Sequence, residues 1–140
     1  MKAPQKIVSG TARALMVHRI IVALYSVLTL AALGRSSFQV LTKFEEAPLA
    51  YSLSVFAAGI YLLATIALAL GAKPWARRIA FGSLSVELVG VLGIGTLSLV
   101  RPELFPDATV WSQFGLGYIL IPLFLPLLGL WWLRVTRPTQ

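Results

Sequence analysis

The run IAFGSLSVELVGVLGIGTLSLV, residues 79–100, carries a single charged side chain, Glu87. At about 1.5 Å of rise per residue, roughly 20 apolar residues of helix cross a hydrocarbon core about 30 Å thick. This stretch therefore reads as a transmembrane helix. A carboxylate inside it must be neutralised, paired or hydrated, which makes Glu87 the first candidate for a functional position.

Three further apolar windows lie at 20–34, 47–72 and 108–133. Together the four predict an all-α, polytopic membrane protein: one transmembrane domain over residues 1–140, a four-helix bundle with helices near 14–34, 49–71, 79–100 and 114–133. The composition agrees. The chain is 58% hydrophobic and 12% charged, against about 25% charged in soluble domains. Lys2, Lys6 and Arg13 precede the first apolar segment, as in a signal peptide, but that segment is longer than a usual h-region, so an uncleaved first helix is expected.

Lys/Arg bias sets direction, because short basic loops stay in the cytoplasm. Lys2, Lys6, Arg13, Arg19, Lys73, Arg77, Arg78, Arg134 and Arg137 fall on one side; Arg35, Lys43 and Arg101 fall on the other. Both termini are therefore expected in the cytoplasm, with Glu45, Glu46, Glu103 and Asp107 in two outer loops. The hairpin 73–78 is short enough to make helices two and three antiparallel neighbours. The outer loops, with Phe38, Leu41 and Phe44 in one and Pro102, Phe105, Pro106 and Trp111 in the other, are expected along the headgroups. Trp111 and Tyr118 would anchor the outer interface, and Trp75, Trp131 and Trp132 the inner one.

On helix three, Ala80, Ser83, Gly90 and Ile94 share the face of Glu87 at helical spacing. Small residues allow close helix approach in lipid, so this face should point into the bundle, with Gly82, Gly93 and Gly95 adding close-approach positions. Glu87 then lies about 12 Å above the inner helix end. At that level stand Tyr25 and Ser26 on helix one and Tyr61 and Thr65 on helix two. Pro126 leaves the carbonyl of Pro122 without its helical donor, and Pro122 does the same for Tyr118. Glu87, Ser83, Tyr25, Tyr61, Thr65 and Pro122 thus form the expected intramembrane polar cluster. A protonated Glu87 would donate to the Pro122 carbonyl or a tyrosine oxygen; the alternative is an ion pair with Arg19 or His18. Arg19 is expected to snorkel to the headgroups instead, and His18 to be interfacial. Glu87 then has three readings: a hydrogen-bonded structural acid, a proton relay, or a contact for a partner or lipid-soluble ligand.

Catalytic signatures are missing. There is no second carboxylate to pair with Glu87 across a bond, and no nucleophile stands with a base. Gly115-Leu116-Gly117 and Gly90-Val91-Leu92-Gly93 are uncharged and lie inside spans, the wrong context for phosphate loops. With no cysteine and one histidine, no metal site and no cofactor are expected. The net charge of +7 sits at span ends as a topology signal, so nucleic acid is not an expected partner. The expected partners are the lipid bilayer and other membrane protein subunits. No period of 20–50 residues repeats, and the inverted repeats of many transporters are not visible.

The segments Ala-Leu-Gly-Arg-Ser-Ser at 32–37, Ala-Pro-Leu-Ala-Tyr at 47–51, Val-Glu-Leu-Val-Gly-Val at 86–91, the outer motif Arg-Pro-Glu-Leu-Phe-Pro-Asp-Ala-Thr-Val-Trp-Ser at 101–112 and Gly-Leu-Trp-Trp-Leu-Arg at 129–134 resemble a family of small integral membrane proteins of actinobacteria. The resemblance implies a four-helix fold and a plasma-membrane location, and no mechanism. A looser similarity to DoxX-like four-helix proteins rests on helix count and a basic start. Within the outer motif, Arg101, Glu103 and Asp107 beside Phe105 and Trp111 read as an outer contact surface. The function expected from sequence is an accessory or scaffold subunit of a larger plasma-membrane complex without catalysis of its own; the alternative is a small transporter or proton-coupled carrier centred on Glu87.

Overall fold

The computed structural model describes residues 3–71 and 73–136, with side chains from residue 12 onward. Lys2, Ala72 and Arg137 lie outside the described residues, as does the side chain of Lys6. Among the described residues the chain is helical and has no strand. It forms α1 (Ala3–Lys43), α2 (Pro48–Ala69), α3 (Pro74–Val100) and α4 (Ile121–Val135), with short 3-10 turns at Phe44–Glu46 and Pro102–Leu104 and a longer 3-10 stretch at Ser112–Tyr118. Three helices are long and apolar enough to cross a membrane, and a fourth span exists only if the bent pair Ser112–Tyr118 and Ile121–Val135 counts as one.

Proline sets the helix starts. Pro48, Pro74 and Pro122 each stand in the first turn of α2, α3 and α4, where the missing N–H has no helical acceptor to lose. This is why α3 begins at Pro74 rather than near residue 79, and why Glu87 has 13 helical residues on either side rather than lying close to the basic end. The same rule corrects the first outer loop. No proline interrupts residues 5–47, Gly34 is tolerated inside the helix, and α1 runs on through Phe38 and Leu41, which are exposed on its surface.

The fourth segment differs most from expectation. Gln113, Phe114, Gly115, Ile119 and Leu120 all have positive φ, so the chain turns back on itself, and the two helical pieces meet at 96°. At 15 residues α4 is about 22 Å long, short of the hydrocarbon core. Pro122 lies in its first turn, not in a helix interior, and only Pro126 interrupts the ladder.

The helices pack in a ring, α1 on α2, α2 on α3, α3 on α4, and α4 back on α1. Alanines at 50, 57, 58, 64 and 67 form the buried stripe of α2, small enough for its neighbours to approach closely. Between α3 and α4, Gly129 provides the clearance: a Cβ there would stand 3.0 Å from a methyl of Leu84. At the basic end, Trp132 lies against His18, ring centroids 4.7 Å apart, with the Arg77 guanidinium 5.8 Å from its ring centroid. Arg77 also donates to the Leu133 carbonyl at 2.6 Å, a cation at a helix C-terminus where the dipole favours it. Trp132 is thus a buried packing residue, while Trp75 and Trp131 remain exposed as interfacial residues should.

Candidate intramembrane site

Glu87 is fully buried, on the α3 stripe Ala80, Ser83, Leu84, Glu87 and Val91. The Tyr25 hydroxyl, also fully buried on α1, donates to Glu87 Oε2 at 2.8 Å. Both residues belong to the expected cluster, and their bond joins α1 to α3. Tyr61 of α2 is buried, and its hydroxyl lies within electrostatic reach of Glu87. Ser83, one turn before Glu87, is buried on the same face.

Thr65 belongs elsewhere. Its hydroxyl bonds the Tyr61 carbonyl at 2.7 Å and meets Thr29 Oγ1 at 2.9 Å, so it ties α2 to α1. Thr29 was not anticipated, although Tyr25, Thr29, Ala32 and Ser36 recur at helical spacing along one face of α1. Ser26 turns to its own helix, donating to the Val22 carbonyl at 2.8 Å. Pro122 is buried, and its ring packs where a Cβ on Gly115 would stand, 2.7 Å away. Among the described residues its carbonyl accepts no hydrogen bond from Glu87, whose one partner is Tyr25.

Neither His18 nor Arg19, in the first half of α1, reaches the acid. Arg19 is exposed, as snorkelling requires. His18 is half-buried with Nε2 2.6 Å from the Leu68 carbonyl, which identifies Nε2 as the donor nitrogen. It belongs to the α1–α2–α4 contact at the basic end.

The second correction concerns Trp111. It is 2% exposed rather than part of an outer surface. The segment around 110–114 folds back into the bundle and lays the indole over Gly90: a Cβ at Gly90 would stand 2.6–2.9 Å from three of its ring carbons. Its ring meets that of Tyr61 edge-on at 6.3 Å. Gly90 is three residues beyond Glu87, so Trp111 covers the cluster from the loop end. Phe114 fills the equivalent clearance at Gly95, whereas Gly82 and Gly93 face open space and serve no helix contact. Sequence offers a signal only in retrospect, in glycines at 90 and 95 with bulky aromatics at 111 and 114.

The remaining outer residues do lie at the loop end. Arg101 and Glu103 form an exposed ion pair, and that pairing holds the Glu103 carboxyl below its ordinary range. Phe105 packs on Ala47, Ala50 and Tyr51. Asp107 accepts a hydrogen bond from the Tyr51 hydroxyl at 2.8 Å, and Lys43 stands 3.7 Å away. The tyrosine hydrogen bond, with smaller help from the Ala108 N–H and Lys43, holds the Asp107 carboxyl below its usual range.

Two buried polar atoms of the cluster, Glu87 Oε1 and Ser83 Oγ, have no hydrogen-bond partner among the described residues; Tyr61 Oη and Trp111 Nε1 fall short of hydrogen-bond geometry but lie close enough to interact with each other. Each such group costs about 1–3 kcal/mol when left unmade. No family model matches the chain, and comparisons with curated proteins and with solved structures find no match. Fold and site together define a helical protein with helices long and apolar enough to cross a membrane, packed around an enclosed polar cluster that holds one acid, Glu87.

Proposed function

We propose that the protein is an accessory or scaffold subunit of a larger plasma-membrane assembly, with both termini cytoplasmic and the bent segment 112–135 serving as a broken fourth span. The observation that carries this reading is the closure of the cluster: Glu87 and Tyr25 are fully buried and bonded to each other, and Trp111 covers them. A carboxyl used in this way ties helices together and leaves no reactive group open to a substrate. The Lys/Arg asymmetry supports the orientation. The resemblance to small actinobacterial membrane proteins supports the plasma membrane. Purification of the tagged chain in mild detergent is the test. A membrane protein recovered in fixed stoichiometry supports the subunit reading; recovery of the chain alone from several mild detergents argues against it.

The second reading, a proton-coupled carrier centred on Glu87, has one observation in its favour, the unpartnered Glu87 Oε1 and Ser83 Oγ. Intramembrane carboxyls with spare hydrogen-bonding capacity mark many proton paths. It requires that Trp111 move away from Gly90 to admit water. A cysteine at position 83, in a chain that has no other cysteine, tests this: labelling by a water-soluble maleimide supports the carrier, and protection until unfolding supports the closed cluster.

A further inference from the structure

A cavity of about 360 Å³ opens at the loop end, between α1, the end of α3 and the segment that folds back. It is separate from the Glu87 cluster, since Trp111 is not among its lining residues. Its volume is in the range of small-molecule sites, about 300–1,000 Å³.

Its chemistry is one-sided. Arg35 is the single charged residue in the lining, and its guanidinium makes one long contact, 3.5 Å to the Ala108 carbonyl. Among the described residues no carboxylate lies within ion-pair distance of it, although its charge reaches the Asp107 carboxylate and helps to hold it ionised. The nearby Asp107 does not line the cavity, and its carboxylate is held by Tyr51 and Lys43. The hydroxyls in the wall are already committed to shaping the loop: Ser98 accepts from the Gln113 N–H at 2.9 Å, Ser112 from the Thr109 N–H at 2.8 Å, and Thr109 from the Trp111 N–H at 3.1 Å. The guanidinium of Arg35 remains, with donors to spare. Pro102, Phe105 and Leu116 supply an apolar wall beside it.

The geometry points to a binding site for a phosphate group, bound by Arg35 and carried on an apolar body that lies against Phe105 and Leu116. A planar guanidinium matches phosphate oxygens in a two-point contact. The cavity lies where α3 ends at Val100, and with α3 spanning the hydrocarbon core this is the level of the phospholipid headgroups. A membrane phospholipid and a soluble phosphate share this chemistry and are separated by experiment.

The test is isothermal titration of the full chain in neutral detergent with three probes: a short-chain phosphatidylglycerol, a short-chain phosphatidylcholine and inorganic phosphate. Two variants accompany the wild type. Arg35→Gln removes the cation. Gly117→Leu fills the cavity, because Gly117 lines it and a Cβ there meets nothing within 4 Å. Circular dichroism and thermal unfolding like those of the wild type show that each variant folds. Saturable binding of phosphatidylglycerol, weakened about tenfold or more by Arg35→Gln and lost in Gly117→Leu, supports a headgroup site. Inorganic phosphate binding with the same dependence on Arg35 and Gly117 supports the phosphate site with a soluble source. Arg35-dependent binding of phosphatidylcholine as tight as that of phosphatidylglycerol supports a headgroup site that reads the phosphate alone; binding indifferent to both variants, or no saturable binding of any probe, overturns the proposal.

Discussion

Removing the Tyr25 hydroxyl takes away the only hydrogen bond that Glu87 makes among the described residues, at 2.8 Å between two fully buried groups. Tyr25→Phe keeps the ring in place and leaves both carboxyl oxygens unpartnered, a loss of about 1–3 kcal/mol for a buried polar group. Glu87→Leu keeps much of the volume and strands the tyrosine hydroxyl instead. In a membrane the unfolded reference also finds partners, so interhelical polar pairs average about 0.6 kcal/mol and reach about 1.7. The coupling between positions 25 and 87 is therefore expected at about 0.6–1.7 kcal/mol, with the double variant less destabilised than the sum of the singles. Glu87→Gln retains an acceptor for the hydroxyl and should lie within about 0.5 kcal/mol of wild type. Reversible unfolding in mixed micelles, driven by sodium dodecyl sulfate and followed by tryptophan fluorescence, measures all four corners of the cycle. Additive effects within about 0.3–0.5 kcal/mol, or a glutamine variant as damaged as the leucine one, would refute the tie between α1 and α3.

Gly90→Ala places a methyl 2.6–2.9 Å from three carbons of Trp111; despite alanine's better helix propensity it should destabilise by about 1–2 kcal/mol and shift tryptophan emission to the red, while Gly93→Ala, with open space around its Cβ, should be neutral or slightly stabilising. Asp107 is held below its ordinary pKa chiefly by Tyr51, so it contributes stability in full above its unfolded value of about 3.9 and loses it as pH falls through the lower folded value; unfolding curves of wild type and Asp107→Asn should differ by a constant amount at pH 5–8 and converge only in stronger acid. Arg77→Gln removes the bond to the Leu133 carbonyl and should destabilise by about 1–2 kcal/mol, with amide exchange in α4 rising before that in α2.

Much of the frame was legible because it rests on apolar length and on proline. The run 79–100 and the windows around 49–71 needed only their hydropathy, and α2 came out within two residues of the expected bounds. Tyr25, Ser83, Tyr61 and Glu87 were placed together because helical rise and facing stripes are fixed by geometry. The fourth segment was not legible. Its apolar content is that of a span, and nothing local announces left-handed backbone at Ile119 and Leu120, two bulky residues that rarely adopt it. That conformation goes with contacts of Trp111 on Gly90 and Phe114 on Gly95, which pair residues about twenty apart in sequence, and with the closer packing of Pro122 on Gly115. For the same reason Trp111 read as an interfacial anchor: an exposed indole and an inserted one have identical local sequence. The polar partners of Thr65 depended on helix rotation to within a fraction of a turn, which composition does not encode.

The most direct measurement is proton and solute flux in proteoliposomes containing this chain alone, wild type against Glu87→Gln. A closed, structural Glu87 gives no flux above empty liposomes in either protein across pH 5–8. A pH-dependent flux in the wild type that disappears in Glu87→Gln, with the variant folded to the same stability, would contradict it and make Glu87 a carrier residue.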